Sequence, residues 1–137
     1  MATTTATLNL SSADITGHNF NLTTTATLTK AASSTGLDEF TGVTSRKYAT
    51  AQSDTVVVAD NIYASGAVAH KVYIRNTSEG VSDHILVEIE GSDIIIGRLY
   101  PGDWLFIHYG GTLDIQVTTT TTNVSIEYAV FSQSAAT

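Results

Sequence analysis

The amino-acid sequence predicts an all-β protein, an antiparallel β-sandwich or jelly roll with an extended, threonine-rich segment at its N-terminus. Threonine occurs 23 times and proline once, and the β-branched threonine side chain favours extended backbone over helix. Apolar and polar residues alternate through much of the C-terminal half, as in strands with one buried face. A length of 137 residues suits one core. We expect an N-terminal region 1–52, made of threonine-rich strands or an arm and a loop, before a sandwich core 53–137.

The N-terminal region contains a repeat. The segment TTTATLNL at 3–10 returns as TTTATLTK at 23–30, and the period of two in a strand places threonines on one face of each copy. Two interpretations stay open: the copies are edge or hairpin strands of the domain's own sandwich, or they form an arm that lies across another subunit. The threonine face is a candidate interface, formed by Thr3, Thr5, Thr7, Thr23, Thr25 and Thr27.

Beyond the repeat, residues 36–51 are expected to form a loop or a short helical turn around 37–40. Strands are then predicted wherever apolar and polar residues alternate. Their ranges are 71–75, 84–90, 113–117 and 124–130. The sequence Tyr100-Pro101-Gly102-Asp103 predicts a type II turn, because proline fixes φ at the second position and glycine accepts a positive φ at the third.

Two segments are apolar on both strand faces. They are Ile94-Ile95-Ile96 and Trp104-Leu105-Phe106-Ile107. Whichever alternate set of side chains faces the core, a second apolar set faces outward and needs its own cover. Either this chain provides that cover with its N-terminal segment, or another subunit does. The candidate interface residues around this strand are Tyr100, Trp104 and Phe106.

Charge and composition argue against several classes of function. The formal net charge is −7 with six lysines and arginines, which disfavours nucleic acid and anionic membranes, because both bind clustered basic residues. Cysteine is absent, which removes disulfides, thiolate catalysis and cysteine-bound zinc. No apolar run reaches the length of a membrane span or resembles a signal core, so we expect synthesis in a cytoplasm without the usual export.

Motifs for catalysis are missing from the sequence. It has no G-x-S-x-G elbow and no phosphate-binding glycine loop, so we predict no enzyme, no catalytic residue and no cofactor. Glu88 and Glu90 share one strand face, which we expect to be solvated. Residues 97–108 resemble the second motif of the cupins, a jelly-roll family that often binds metal through histidines and a glutamate, although the spacing differs. A metal site of His70, His84 and His108 is the resulting alternative to three surface or edge histidines.

Three stretches resemble the small structural proteins of tailed bacteriophage particles. They are KVYIRNTS at 71–78, IIIGRLYPGDW at 94–104 and VSIEYAVF at 124–131. Together with the acidic balance and the lack of cysteine, they are most similar to head decoration, or cement, proteins. The resemblance implies a non-enzymatic homotrimer on the outer surface of the virion head, made in the host cytoplasm. There it would contact the major capsid protein and bridge neighbouring capsomers.

A tail or fibre module that binds a host-surface glycan is the interpretation from a different class. Such a module would stack sugar rings on Tyr100, Trp104 and Tyr109, since aromatic faces provide flat apolar contact. The two interpretations differ in copy number, because a decoration protein covers the head and a fibre module is present in few copies.

Overall fold

The computed structural model describes residues 4–15, 17–28, 37, 39–60, 70–90, 94–110 and 113–132. These ranges contain β-strands and no helix, which confirms the predicted all-β class. The strands are β1 (Thr4–Ile15), β2 (His18–Leu28), β3 (Glu39–Phe40), β4 (Thr44–Tyr48), β5 (Gln52–Val58), β6 (His70–Asn76), β7 (Ile85–Ile89), β8 (Ile94–Leu99), β9 (Trp104–Tyr109), β10 (Ile115–Thr119) and β11 (Val124–Ser132). Within the same ranges, nothing helical is long and apolar enough to cross a membrane.

Strands β1 and β2 form a separate two-stranded antiparallel sheet, the hairpin. Its register places the two copies of the sequence repeat opposite each other, with Thr5 facing Thr27 and Thr7 facing Thr25. Both strands continue past the repeat to a turn at Gly17, whose φ of 77° suits glycine. The repeat therefore folds as a hairpin outside both sheets of the sandwich. Its role as an arm across another subunit stays a prediction.

Two larger antiparallel sheets form the sandwich. One has the strand order β5-β10-β7-β8, and the other has the order β3-β11-β6-β9, with β4 also pairing β11. From β4 to β11 the chain changes sheet at every connection except the one between β7 and β8. This connectivity is compatible with a jelly roll, which packs eight strands in two sheets. Strands β3 and β4 precede residue 53, yet they are hydrogen-bonded into the sandwich through β11.

The core lies between the facing sides of these two sheets. Alternate residues of β6, β7, β10 and β11 point into it and are buried, so the predicted alternation is confirmed. The fully buried aliphatic residues are Val58, Val72, Ile74, Ile85, Val87, Ile115, Val117, Val124, Ile126 and Val130. Each contributes about 1.5–3 kcal/mol of hydrophobic stabilisation, against which conformational entropy is lost. No described residue of the hairpin belongs to this core.

Two local predictions have opposite outcomes. The type II turn is confirmed: the Asp103 amide donates to the Tyr100 carbonyl at 2.9 Å, and Gly102 has a φ of 90°. The expectation of a loop or a short helical turn in 36–51 is wrong at two places, because Glu39–Phe40 and Thr44–Tyr48 are strands. Phe40 pairs with Phe131 and stacks on its ring, with centroids 4.6 Å apart, and this contact favours extended backbone there.

Strand β9 has the two apolar faces that the sequence predicts. Leu105 and Ile107 pack against the core, so Trp104 and Phe106 face outward. The hairpin lies over this outward side, where its Leu28 is 3% exposed. This chain therefore supplies the second cover with its N-terminal segment, which is one of the two predicted solutions. The cover is incomplete, because Trp104 remains 51% exposed.

Candidate interaction surface

The outer side of β6 and β9 carries the side chains that do not enter the core. Cross-strand pairing places Trp104 beside Arg75, Phe106 beside Tyr73 and His108 beside Lys71. Directly opposite side chains on one face of a sheet are close enough to contact each other. The rings of Phe106 and His108 meet edge to face at 6.0 Å along the strand. This part of the sheet is therefore an aromatic surface with two basic side chains.

A cleft of about 650 Å³ separates this surface from the hairpin. On the hairpin side it is lined by Ala6, Thr7, Leu8, Thr24, Ala26 and Leu28. On the sheet side it is lined by Tyr73, Arg75, Gly102, Trp104, Phe106 and His108. Small side chains on the hairpin and large rings on the sheet leave the space between them unfilled, so the cleft is a mostly apolar cavity open to solvent.

The face of the hairpin that lines the cleft continues beyond it toward the turn. Pairing places Leu10 opposite Leu22 and Ser12 opposite Phe20 on this same face, because every second pair points the same way. The three apolar side chains are each more than 40% exposed. We call Leu10, Phe20 and Leu22 the apolar tip. The hairpin thus has a base that covers the aromatic surface and a tip whose apolar side is uncovered.

Hydrogen bonds hold the polar side chains at the cleft wall in place. The Tyr73 hydroxyl donates to the Glu127 carboxylate at 2.8 Å, and Arg75 lies 3.8 Å from the same carboxylate oxygen. Burial raises the pKa of Tyr73 above its ordinary value, and the hydrogen bond to Glu127 raises it further. Tyr73 is therefore a neutral donor at physiological pH. Arg75 is 46% exposed and brings a positive charge to the cleft.

The opposite face of the hairpin is the predicted threonine face. Thr7 and Thr25 form a hydroxyl–hydroxyl hydrogen bond of 2.9 Å, and Thr23 donates to Asn9 at 3.3 Å. Thr5 and Thr27 are a directly opposed pair on the same face, and Thr3 lies outside the described residues. The five described threonines of this face are exposed and form one polar surface, of which Thr7 also borders the cleft.

The aromatic residues of the glycan-binding hypothesis do not share a surface. Tyr109 is buried at 9% exposure in the core cluster, on the side of β9 opposite Trp104. Tyr100 is exposed beside His84, with ring centroids 5.7 Å apart. Because successive residues of a strand alternate between faces, Trp104 and Tyr109 cannot stack on one sugar. The predicted platform is wrong in its inclusion of Tyr109, and Tyr73 and Phe106 are the rings beside Trp104.

The histidines and the glutamate pair show no metal-binding arrangement among the described residues. No group of three or more histidine, aspartate or glutamate side chains lies close enough there to hold an ion. His84 contacts the Ser82 carbonyl oxygen at 3.3 Å, and His108 lies on the outer side of β9. Glu88 is 9% exposed and accepts a hydrogen bond from the Thr118 hydroxyl at 3.3 Å. The expectation of a solvated Glu88 is therefore wrong, because it lies between residues of β8 and β10 in the sheet and is hydrogen-bonded to Thr118.

Sequence reasoning missed the apolar tip. It treated the repeat as ending at residues 10 and 30, whereas β1 and β2 continue to a turn between them. A signal was present in HNFNL at 18–22, where polar residues alternate with Phe20 and Leu22. The comparison with known proteins adds no assignment: no protein-family model, no curated protein and no solved structure matches the chain.

Proposed function

We propose that the protein is a non-enzymatic structural component of a tailed-phage virion, a decoration protein that stabilises the head by bridging neighbouring capsomers. One observation carries the proposal: the hairpin projects an uncovered apolar tip, while the strand below it keeps a half-exposed tryptophan. Uncovered apolar area of this kind, rimmed by polar residues, is typical of surfaces that are buried in an assembly.

The rest of the molecule suits such a role. A core of aliphatic side chains between two sheets gives a rigid body, and a projecting hairpin offers free strand edges and a polar threonine face for pairing with another protein. The formal charge of −7 would keep the remaining surface solvated. In this proposal the hairpin contacts a neighbouring copy and the major capsid protein, and the sandwich faces outward.

Particle binding tests the proposal directly. Heads purified from a phage strain that lacks the gene would be incubated with the full chain or with a variant that lacks residues 1–28. We expect the full chain to bind in many copies over the head and to raise the temperature at which heads release DNA. The truncated variant should do neither. Absence of the chain from wild-type particles, or its confinement to the tail, would overturn the proposal.

A glycan-binding tail or fibre module is the second candidate, and the cleft favours it. Trp104, Phe106 and Tyr73 line one wall with Arg75 beside them, which combines stacking rings with a polar group as sugar sites do. Titration with glycans from the host surface would be followed by the fluorescence of the single tryptophan. A saturable change that Phe106→Ala weakens would favour the fibre module over the decoration protein.

A further inference from the structure

We infer that the apolar tip of one copy inserts into the cleft of a second copy of this chain. The occupant of the cleft is thus the segment that carries Leu10, Phe20 and Leu22 in a neighbouring subunit. The inference deepens the proposed function, on which it rests, by naming the two surfaces through which copies contact each other.

The cleft is large enough for the apolar side chains of the tip. It has a volume of about 650 Å³, is mostly apolar and is open to solvent, so side chains of another molecule can enter it. A cavity of about 150 Å³ holds one benzene molecule. The cleft therefore has room for one phenyl ring and two leucine side chains, and these are what Phe20, Leu10 and Leu22 would bring.

The tip cannot fill the cleft of its own chain. The tip and the hairpin residues that line the cleft lie on the same face of one hairpin. Leu8 is at the edge of the cleft, and Leu10 is already outside it. To bring Phe20 back over Ala26, the hairpin would have to fold on itself and break the pairing of Leu10 with Leu22. An antiparallel ladder resists this, because each lost backbone hydrogen bond leaves unpaired groups. Among the residues that the structure describes, the hairpin tip of the same chain is thus unable to complete the cleft, and we infer that a second copy supplies these side chains.

The charges on the two surfaces also suit this contact. Residues 4–28 contain no lysine or arginine, and Asp14 near the turn is their one acidic residue, in a chain of net charge −7. A nearly neutral hairpin can approach an acidic copy with little like-charge repulsion. Arg75 on the cleft wall has the sign opposite to Asp14, and part of its charge is offset by Glu127 at 3.8 Å. The hairpin can therefore approach an acidic copy with little electrostatic penalty.

The contact is heterologous, because the tip and the cleft are different surfaces. Such contacts close into a ring when the rotation between copies allows it and otherwise continue as a filament. In a ring every tip and every cleft is filled, so no apolar tip remains exposed. The predicted trimer would be a ring of this kind, with Trp104 of each copy covered by the hairpin of the next.

A complementation experiment with the full-length chain tests the inference. The first variant, Phe20→Ser, lacks a functional tip, and the second, Ala26→Phe, has its cleft filled by its own side chain. Asn21→Ser, on the opposite face of the same strand, is the matched control. Circular dichroism and thermal melting establish that each variant is folded. Light scattering after size exclusion gives the mass, and tryptophan fluorescence reports whether Trp104 is covered.

We expect three kinds of result from these samples. The wild type and Asn21→Ser should associate with the same affinity and show a blue shift of tryptophan emission as concentration rises. Phe20→Ser and Ala26→Phe should each weaken association at least about tenfold. A mixture of the two should form pairs, since one copy supplies an intact tip and the other an intact cleft.

Three results would overturn the inference, and they differ in what else they affect. Association of Ala26→Phe at wild-type affinity would indicate contact between tips, and association of Phe20→Ser at wild-type affinity would indicate a surface outside the hairpin. Both leave the decoration role standing. A wild type that binds heads as a monomer also contradicts the inference alone, whereas failure to bind heads contradicts the proposed function.

Discussion

At the scale of single residues, Asn76 connects the two sheets of the sandwich. Its side chain is fully buried at the end of β6 and donates to the carbonyl oxygens of Asp83 at 2.6 Å and Leu99 at 2.9 Å. Its side-chain oxygen accepts from the Ser78 amide at 2.9 Å. Each polar group of this buried amide is thus paired, as buried polar groups must be.

Removal of this amide should destabilise the folded protein. We expect Asn76→Ala to lower the free energy of unfolding by about 2–3 kcal/mol, because it leaves buried backbone groups without partners. Asn9→Ala is the control, since Asn9 is exposed on the hairpin and accepts one hydrogen bond of 3.3 Å; its effect should stay within about 0.5 kcal/mol. Urea denaturation measures both. Equal effects of the two substitutions would show that Asn76 does not connect the sheets.

Two glycines separate the effect of backbone conformation from that of space. An added Cβ would meet no atom within 4 Å at either Gly97 or Gly102, but Gly102 has a φ of 90° in the type II turn. We expect Gly102→Ala to destabilise the fold by about 1–2 kcal/mol, because a side chain is strained at positive φ. Gly97→Ala should be neutral or stabilising by up to about 1 kcal/mol. Thermal melting of the two variants measures the difference in stability between them. Equal melting temperatures would show that the positive φ of Gly102 has no effect.

At the scale of strands and turns, the hairpin is the separable element. Its strands pair with each other and contribute nothing to the described core. We expect a chain that lacks residues 1–28 to retain one cooperative unfolding transition, at a somewhat lower denaturant midpoint because Tyr73 and Phe106 lose their cover. The same deletion should weaken self-association. Near-ultraviolet circular dichroism measures the transition. If the truncated chain no longer unfolds cooperatively, the hairpin belongs to the folding unit of the sandwich.

Local patterns predicted most strands and the one turn that contains proline. Alternation locates β6, β7 and β11 because a half-buried strand must repeat every two residues, and Pro101-Gly102 specifies its turn through φ alone. Pairing of the two copies as a hairpin was one of the interpretations left open, because a single strand pattern does not identify its partner. The sequence also left open which side of β9 faces the core. With apolar residues on both sides, the register with β6 decides the orientation: Leu105 is paired with the core residue Ile74, and Trp104 is paired with Arg75 on the outer side.

At the scale of the whole molecule, three buried or partly buried tyrosines should make the free energy of unfolding depend on pH in the alkaline range. Burial raises the pKa of Tyr48, Tyr73 and Tyr109 above the ordinary value of 10.0. Above pH 10 the unfolded chain loses these protons while the folded chain keeps them, so the free energy of unfolding falls as pH rises. Burial lowers the pKa of Lys71, which acts in the opposite direction as pH approaches its ordinary value of 10.5.

The Lys71 contribution stops growing at its ordinary pKa of 10.5, whereas the tyrosines lower the free energy of unfolding above pH 10, so we expect stability to hold up to about pH 10 and then to fall. Denaturant midpoints across the alkaline range measure this, and tyrosinate absorbance should show a late fraction that titrates only on unfolding. Tyr73→Phe removes one of the three groups and should reduce the slope above pH 10. If the free energy of unfolding is constant through the pH range in which tyrosine titrates, these hydroxyl groups are as solvated in the folded protein as in the unfolded one.

The central prediction is that other protein molecules cover the apolar tip and the half-exposed Trp104. The molar mass of the full chain in solution, measured by light scattering over a range of concentrations, tests it most directly. We expect a mass several times the 14.5 kDa of one chain, three times it for the trimer, with tryptophan emission shifted to the blue. A mass of 14.5 kDa at every concentration, with Trp104 fully accessible to a soluble quencher, would contradict the claim.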